Sequence, residues 1–186
     1  YKEPKLKIMG VEAVKSSTPA ACREKIKEAL TIIMNENDKV LNTFIQDFRT
    51  EFMTLKPELV AYPRSVNGLT KWTESHNLFK KGAPIHCKGA ILYNHLLREK
   101  KLQGKYPYIQ EGDKIKFLHM KIPNMYQSTS ISFMTKLPEE LNLHNIVDYD
   151  MQFEKSFVEP LKFITSMIQW PIDDSYGTQG TLEEFF

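Results

Sequence analysis

The chain has 186 residues, of which 41% are hydrophobic, enough for one folded domain with appendages. No stretch approaches the ~18 consecutive apolar residues of a membrane-spanning helix, and no secretory signal opens the sequence. Two cysteines, Cys22 and Cys87, are too few for a disulfide scaffold and lack the paired spacing of a structural zinc site. We therefore expect a soluble, intracellular protein.

The net charge of +2 hides an asymmetry between the two ends of the chain. Residues 1–138 carry 23 Lys and Arg against 13 Asp and Glu, whereas residues 139–186 carry 2 against 10. The cations are densest in segment 64–105. Such a stripe attracts a polyanion, although a solvated basic face produces the same pattern more often in an arbitrary protein.

Helical spacing dominates the N-terminal third. Thr18 as N-cap and Pro19 at the first helical position predict a helix over 19–35. A second apolar stripe, closed by Pro57, predicts a helix over 39–55.

The remainder is mixed. Pro, Gly and Asn interrupt short apolar runs over 57–137, which predicts short strands and turns with one helix at 88–101. Helical spacing returns over about 140–168, and a polar tether follows from Pro171. The fold class is therefore α+β, with more helices than strands.

No catalytic constellation emerges from residue spacing. Cys22 lies on the apolar face of the first predicted helix, which favours a core role. His86 and Cys87 are neighbours in a predicted strand, so they point to opposite faces and are poor co-ligands. Asp148 and Asp150 sit within a predicted helical stripe and are interpreted as surface charge. A hydrolase built around His86 and Asp148 is the weakest alternative, and we expect neither a metal site nor a cofactor in this chain.

Cations alternate with an aromatic ring in the basic segment. Side chains in this arrangement can reach successive phosphates without reading base identity. The candidate DNA-binding residues are Lys71, Trp72, Lys80, Lys81 and Lys88. Burial in the core is an equally good interpretation of Trp72, and a structural role is favoured for His86.

The final residues form a compact motif. In one helical turn, Leu182, Phe185 and Phe186 share a side, and Gln179 can hydrogen-bond a rim, which is typical of a peptide that docks on another protein. The alternative is that the two phenylalanines fold back on their own domain.

Three blocks carry a resemblance to a known family. KLKIMGVEAVKSSTP resembles the stretch in which family B DNA polymerases of T-even phage type leave the palm and enter the thumb. Residues 5–9 of this block alternate polar and apolar, which independently predicts a half-buried strand. GAPIHCKGAILYN resembles the thumb segment placed against the new duplex, and TLEEFF resembles the terminal clamp-binding peptide, with a PIP-like Gln179.

The resemblance implies an organisation: a palm edge over 1–16, a thumb over 17–170 and a tail over 171–186. It adds Lys15 and Ser16 to the candidate DNA contacts.

The resemblance also implies a function. The chain would be the thumb of a DNA-directed DNA polymerase that grips primer-template DNA, contacts the palm and binds a sliding clamp, in the cytoplasm of an infected bacterium. The catalytic residues and their Mg²⁺ would belong to polypeptide preceding Tyr1. A free-standing, clamp-binding accessory protein is the alternative.

Overall fold

A computed structural model describes residues 15–172 and divides the chain into two compact units. The helical unit comprises, among the described residues, 15–55 and 153–172, and the sheet unit is Lys56–Gln152. The predicted strand over 5–9 and the end of the tail from residue 173 lie outside the described residues. Helices accompany a three-stranded sheet, which confirms the α+β class, whereas the predicted domain boundaries stay predictions.

The helices and strands follow one another along the chain in this order: α1 (Ala20–Asn35), α2 (Asp38–Phe52), α3 (Pro57–Val60), β1 (Tyr62–Ser65), α4 (Leu69–Trp72), α5 (Ile85–Glu99), β2 (Lys114–His119), β3 (Ser130–Phe133), α6 (Tyr149–Phe153) and α7 (Glu159–Met167). Two 3₁₀ turns, Glu139–Leu141 and His144–Ile146, precede α6, and a π turn, Glu154–Val158, links α6 to α7. None of the described helices combines the length and the apolar character needed to cross a membrane.

The start of α1 differs by one residue from the prediction. Pro19 is the N-cap, and the Thr18 hydroxyl instead accepts a hydrogen bond from the Lys15 backbone N–H at 2.9 Å. The hydroxyl closes the preceding turn and does not cap the helix. In α2, the Asn37 side chain does cap, accepting from the Val40 N–H at 3.1 Å.

Phenylalanine rings form the core of the helical unit. Phe48 lies 4.7 Å from Phe157 and 5.8 Å from both Phe52 and Phe153, in edge-on arrangements favoured by the ring quadrupoles. Cys22 is fully buried, as predicted. Burial raises the pKa of its thiol to about 11, although a hydrogen bond with Ser156 acts in the other direction. Cys22 therefore behaves as a small apolar residue.

The helix predicted over about 140–168 begins only at Tyr149. Asn142 adopts a left-handed conformation, with φ of 55°, and ends the first 3₁₀ turn. Further along, Pro160 has no N–H and its ring crowds the carbonyl four residues earlier. The Glu159 N–H reaches back to the Glu154 carbonyl, and the helix widens into the π turn.

The sheet unit is built on an antiparallel sheet of order β1-β2-β3. Helix α5 packs directly on β3, where a Cβ at Gly89 would lie 2.6 Å from the Ser132 backbone nitrogen. The hydroxyls of Ser130 and Ser132 donate to the carbonyls of Ile85 and His86 at 2.6 and 2.8 Å. The absence of a side chain at Gly89 allows the close approach, and the two serine hydroxyls hold the start of α5 on the sheet.

Helix α5 also corrects two sequence predictions. It begins at Ile85, with Pro84 as N-cap, and not at residue 88. His86 and Cys87 therefore lie in its first turn and not in a strand. Pro84 has φ of −57° and ψ of 147°, an extended conformation that suits the residue immediately before a helix.

Candidate nucleic-acid interface

A carboxylate-to-backbone contact at the surface fixes the short helix α4 in the sheet unit. Gly68, with φ of 84°, is its N-cap. The Glu111 carboxylate accepts hydrogen bonds from the N–H groups of Gly68 and Leu69 at 2.5 and 2.7 Å. The positive end of the helix is thereby paired with an anion, and this pairing places Lys71 and Trp72 at the other end of α4.

A hairpin then brings the next cations beside α4. Thr73 and Phe79 form an antiparallel bridge, and the Lys80 N–H donates to the Trp72 carbonyl at 2.8 Å. Residues six and eight positions apart in sequence therefore become neighbours. Lys80 therefore lies beside Trp72, at the end of α4.

Two of the lysines lie over aromatic rings. The Lys71 ammonium is 4.9 Å from the centroid of Trp72, and the Lys88 ammonium, from α5, is 5.5 Å from that of Phe79. Attraction to the ring face orients an ammonium group without neutralising it. We call Lys71, Trp72, Phe79, Lys80 and Lys88 the basic-aromatic cluster.

Lys81 extends the cluster through a tight turn. The Ala83 N–H bonds to the Lys80 carbonyl at 3.3 Å, and Gly82 has φ of 85°. A positive φ at the third position is required by a type II turn and favours glycine. Lys81 is exposed at the second position of this turn.

The cluster lysines keep their charge available. Within the part of the chain that the structure describes, Lys71, Lys80, Lys81 and Lys88 form no ion pair with a carboxylate. Lys105, by contrast, pairs with Glu140 at 2.9 Å. Unpaired cations held close together are suited to binding successive phosphates.

Phe79 is a cluster residue that the sequence interpretation missed. It lies half-buried beneath Lys88 and on the hairpin bridge. The sequence does contain a signal for it: Phe79 comes directly before Lys80 and Lys81, so an aromatic residue again adjoins a lysine, as in Lys71–Trp72, but in the reverse order. Trp72 is also half-buried, so it combines packing with a partly open face.

His86 has a structural role through its backbone, which accepts the Ser132 hydroxyl. Its ring lies 6.3 Å from that of Phe117. Burial, and secondarily the charge of Arg64, lowers the pKa of His86, so the ring is neutral at physiological pH. A phosphate contact from this ring stays a prediction.

The other predicted site residues lie elsewhere in the chain. Lys15 and Ser16 belong to the helical unit, where Lys15 is exposed and the Ser16 carbonyl accepts from Arg23 at 3.0 Å. The clamp-binding residues Gln179, Leu182, Phe185 and Phe186 lie outside the described residues. The basic-aromatic cluster is therefore a feature of the sheet unit.

One of the aspartates considered for chemistry has a simpler role. Asp148 precedes α6 and its carboxylate accepts from the Met151 N–H at 3.0 Å, so it is a helix cap and not a mid-helix surface charge. Across residues 15–172, no group of three or more His, Cys, Asp and Glu side chains is placed to hold a metal ion.

Comparison with known proteins finds similarity to two phage proteins. No family model matches it. It is 30% identical over 165 residues, 87% of the chain, to a protein of Enterobacteria phage T4 named DNA-directed DNA polymerase. It is 32% identical over 171 residues, 89% of the chain, to the protein of that name in Escherichia phage RB69. This chain is related to the T4-type phage DNA polymerases. The predicted resemblance is confirmed, and the chain spans 18% of the length of each of these curated relatives.

Proposed function

We propose that this chain is the thumb portion of a family B DNA polymerase and that its basic-aromatic cluster grips the primer-template duplex. The observation that supports this most strongly is a set of four lysines, gathered by one hairpin and one helix in the sheet unit, that have no carboxylate partner among residues 15–172. The relatedness to polymerases supplies the ligand, since DNA is what such enzymes extend.

The grip works through charge. The sheet unit carries 14 Lys and Arg against nine Asp and Glu. Lysine ammonium groups bind phosphate oxygens as point charges and carry no base preference. The enzyme can therefore advance along any sequence while these contacts exchange from one phosphate to the next. Lys15 and Ser16 add contacts to the sugar-phosphate backbone of the DNA at the entrance to the thumb.

The nucleotidyl transfer itself belongs to the rest of the parent polymerase. Mg²⁺ would be held there by carboxylates, which are ligands that this cation prefers. The palm is then the covalent partner of this chain, and the enzyme acts in the cytoplasm of the infected bacterium.

The terminal peptide extends the proposal to a sliding clamp. Leu182, Phe185 and Phe186 would fill an apolar pocket on the clamp, with Gln179 at its rim. A tether of this kind raises the effective concentration of polymerase at the primer end without any further DNA contact.

The duplex grip is tested by replacing Lys71, Lys80 and Lys81 with Ala in the intact protein. Each lost phosphate contact reduces the slope of log affinity against log salt concentration by about 0.9. We expect weaker duplex binding and a slope flatter by up to three such steps, measured by fluorescence anisotropy over a salt series.

The matched control removes three exposed lysines of the helical unit, Lys27, Lys39 and Lys155, and so makes the same change in net charge. Its salt slope should stay near that of the parent protein. Equal slopes for the two triple variants would remove the cluster from the duplex site.

The clamp contact is tested with Phe185→Ala and Phe186→Ala in the intact protein, titrated against the cognate clamp. Each loses a buried aromatic anchor, and anchors of this kind cost about 2 kcal/mol or more when truncated. Tyr176→Ala is the control for the loss of a tail aromatic. Unchanged affinity in all three variants would refute the docking.

The accessory-protein alternative predicts a different phenotype. In a free-standing adaptor, the tail variants abolish function and the lysine variants are silent. The lysine series therefore separates the two functions directly.

A further inference from the structure

A concave groove in the sheet unit runs beside the basic-aromatic cluster. It encloses about 780 Å³, within the size range of ligand-binding clefts. Its walls are the hairpin residues 73–78, one face of α5 and the loop that carries Met125 and Tyr126. All three walls belong to the same unit.

The α5 wall is a direct continuation of the cluster. Lys88, Ile91, His95 and Arg98 recur at spacings of three and four residues, and such residues share one helix face. Lys88 lies at the cluster over Phe79, and the other three line the groove. The ten residue steps from Lys88 to Arg98 cover about 15 Å of helix, enough for a short run of nucleotides.

The groove contains charges of both signs: Arg98 is a cation on the α5 wall, and Glu74 and Glu99 are carboxylates. The carboxylate of Glu99 lies 3.2 Å from His95, and that of Glu74 accepts from the Asn77 amide at 3.3 Å. A row of phosphates along the whole groove would meet these carboxylates. Phosphates therefore fit at Lys88 and Arg98, and uncharged groups fit between them.

The opposite rim offers apolar and aromatic surface to such groups. Met125 is 83% exposed and Tyr126 is half-buried, and both line the groove. Asn124 braces their loop, since its amide donates to the carbonyls of Lys121 and Ser128 and its oxygen accepts from the Tyr126 N–H. The rim is thus preformed, which reduces the entropy lost on binding.

We propose that this groove binds a short single-stranded stretch of nucleic acid, its unpaired bases against Tyr126 and Met125 and its phosphates at Lys88 and Arg98. Aromatic rings within a cationic groove are the usual means of holding unpaired bases without sequence preference. A duplex is excluded from this site because its bases face inward and its convex surface cannot enter a walled groove. The inference rests on the proposed function in taking nucleic acid as the ligand of the sheet unit.

The test compares two probes on the intact protein by fluorescence anisotropy: a labelled oligothymidylate of about 12 nucleotides, within the site sizes of single-strand binders, and a duplex of equal length. The double variant Arg98→Gln, Tyr126→Ala should lose about tenfold or more in affinity for the oligothymidylate and less than twofold for the duplex. Lys136→Gln, which changes an exposed cation outside the groove, is the control and should match the parent protein on both probes.

Rescue variants guard against a folding defect. Arg98→Lys keeps the charge and Tyr126→Phe keeps the ring, so each should retain most of the affinity for the oligothymidylate. Loss of that affinity in Tyr126→Phe would contradict a stacking role.

Other outcomes overturn the proposal. Equal losses on both probes would make the groove part of the duplex site. Unchanged affinity for both, the result expected of a groove that serves a peptide, would exclude nucleic acid. The triple alanine variant of Lys71, Lys80 and Lys81 is measured in parallel. Its affinity for the duplex tests the proposed duplex grip separately from the groove.

Discussion

The two units of this chain reach stability in different ways. In the helical unit, interlocking phenylalanine rings fill the space between helices. In the sheet unit, α5 approaches the sheet backbone closely through Gly89 and is held by the hydroxyls of Ser130 and Ser132. Ring packing supplies bulk burial, whereas the close backbone approach leaves no room for a side chain at Gly89 and so restricts the position of one helix.

The two units also differ in net charge. The described residues of the helical unit carry eight Lys and Arg against eight Asp and Glu, whereas the sheet unit carries an excess of five cations. The unit with the excess of cations also holds the basic-aromatic cluster. The comparison indicates that both units have an apolar core, and that the sheet unit also positions the proposed ligand contacts.

The largest expected effect is in the aromatic core. Phe157→Ala removes a fully buried ring that contacts Phe48 and Phe153, and such truncations lower the free energy of unfolding by about 3–5 kcal/mol. Denaturant unfolding measures the loss. Phe163, 62% exposed, is the control, and Phe163→Ala should cost less than about 0.5 kcal/mol. Similar losses at both positions would contradict an aromatic core.

The next largest effect concerns the packing of α5 against the sheet. In Gly89→Ala the added methyl group overlaps the Ser132 backbone, and the resulting strain lowers the free energy of unfolding by about 1–3 kcal/mol. Because α5 carries Lys88, we also expect weaker duplex binding. Gly104 has open space around it, so Gly104→Ala should leave both the unfolding transition and the duplex affinity unchanged. A stable Gly89→Ala protein with normal affinity would show that this close approach is dispensable.

The smallest effect is a surface ion pair with a pH signature. Hydrogen bonds from Lys105, and then from Tyr106, lower the pKa of Glu140 from its ordinary 4.5 to about 2. A carboxylate with a lowered pKa in the folded state stabilises the protein above its unfolded pKa. The contribution is lost as the pH falls from 4.5 towards 2.

Glu140→Gln should therefore lower stability slightly near neutral pH, and the difference from the parent protein should vanish in acid. Thermal unfolding across a pH series measures this, with Glu139→Gln as the control for the loss of one carboxylate. A difference that stays constant down to the lowest pH would show that the ion pair does not stabilise the fold.

Much of the local structure followed from the sequence. Apolar spacing located α1 and α2 to within a few residues. In a helix over ten residues long, the buried face is visible in the sequence as apolar residues at regular spacings of three and four. The lysines of the cluster were also identifiable, since a run of uncompensated cations is visible without any tertiary information. The burial of Cys22 followed from its place on the apolar stripe.

Contacts between distant residues decided the rest. Nothing in the local pattern places Phe79 under Lys88 or Tyr126 opposite Arg98, because a hairpin, a helix and a loop must first pack together. The start of α5 depended on docking against β3, and the late start of α6 on a left-handed residue and a cap at Asp148. Sequence alone determined which residues carry charge and which prefer burial. Only the tertiary structure decided which of them are neighbours, because close packing joins side chains that the chain itself keeps far apart.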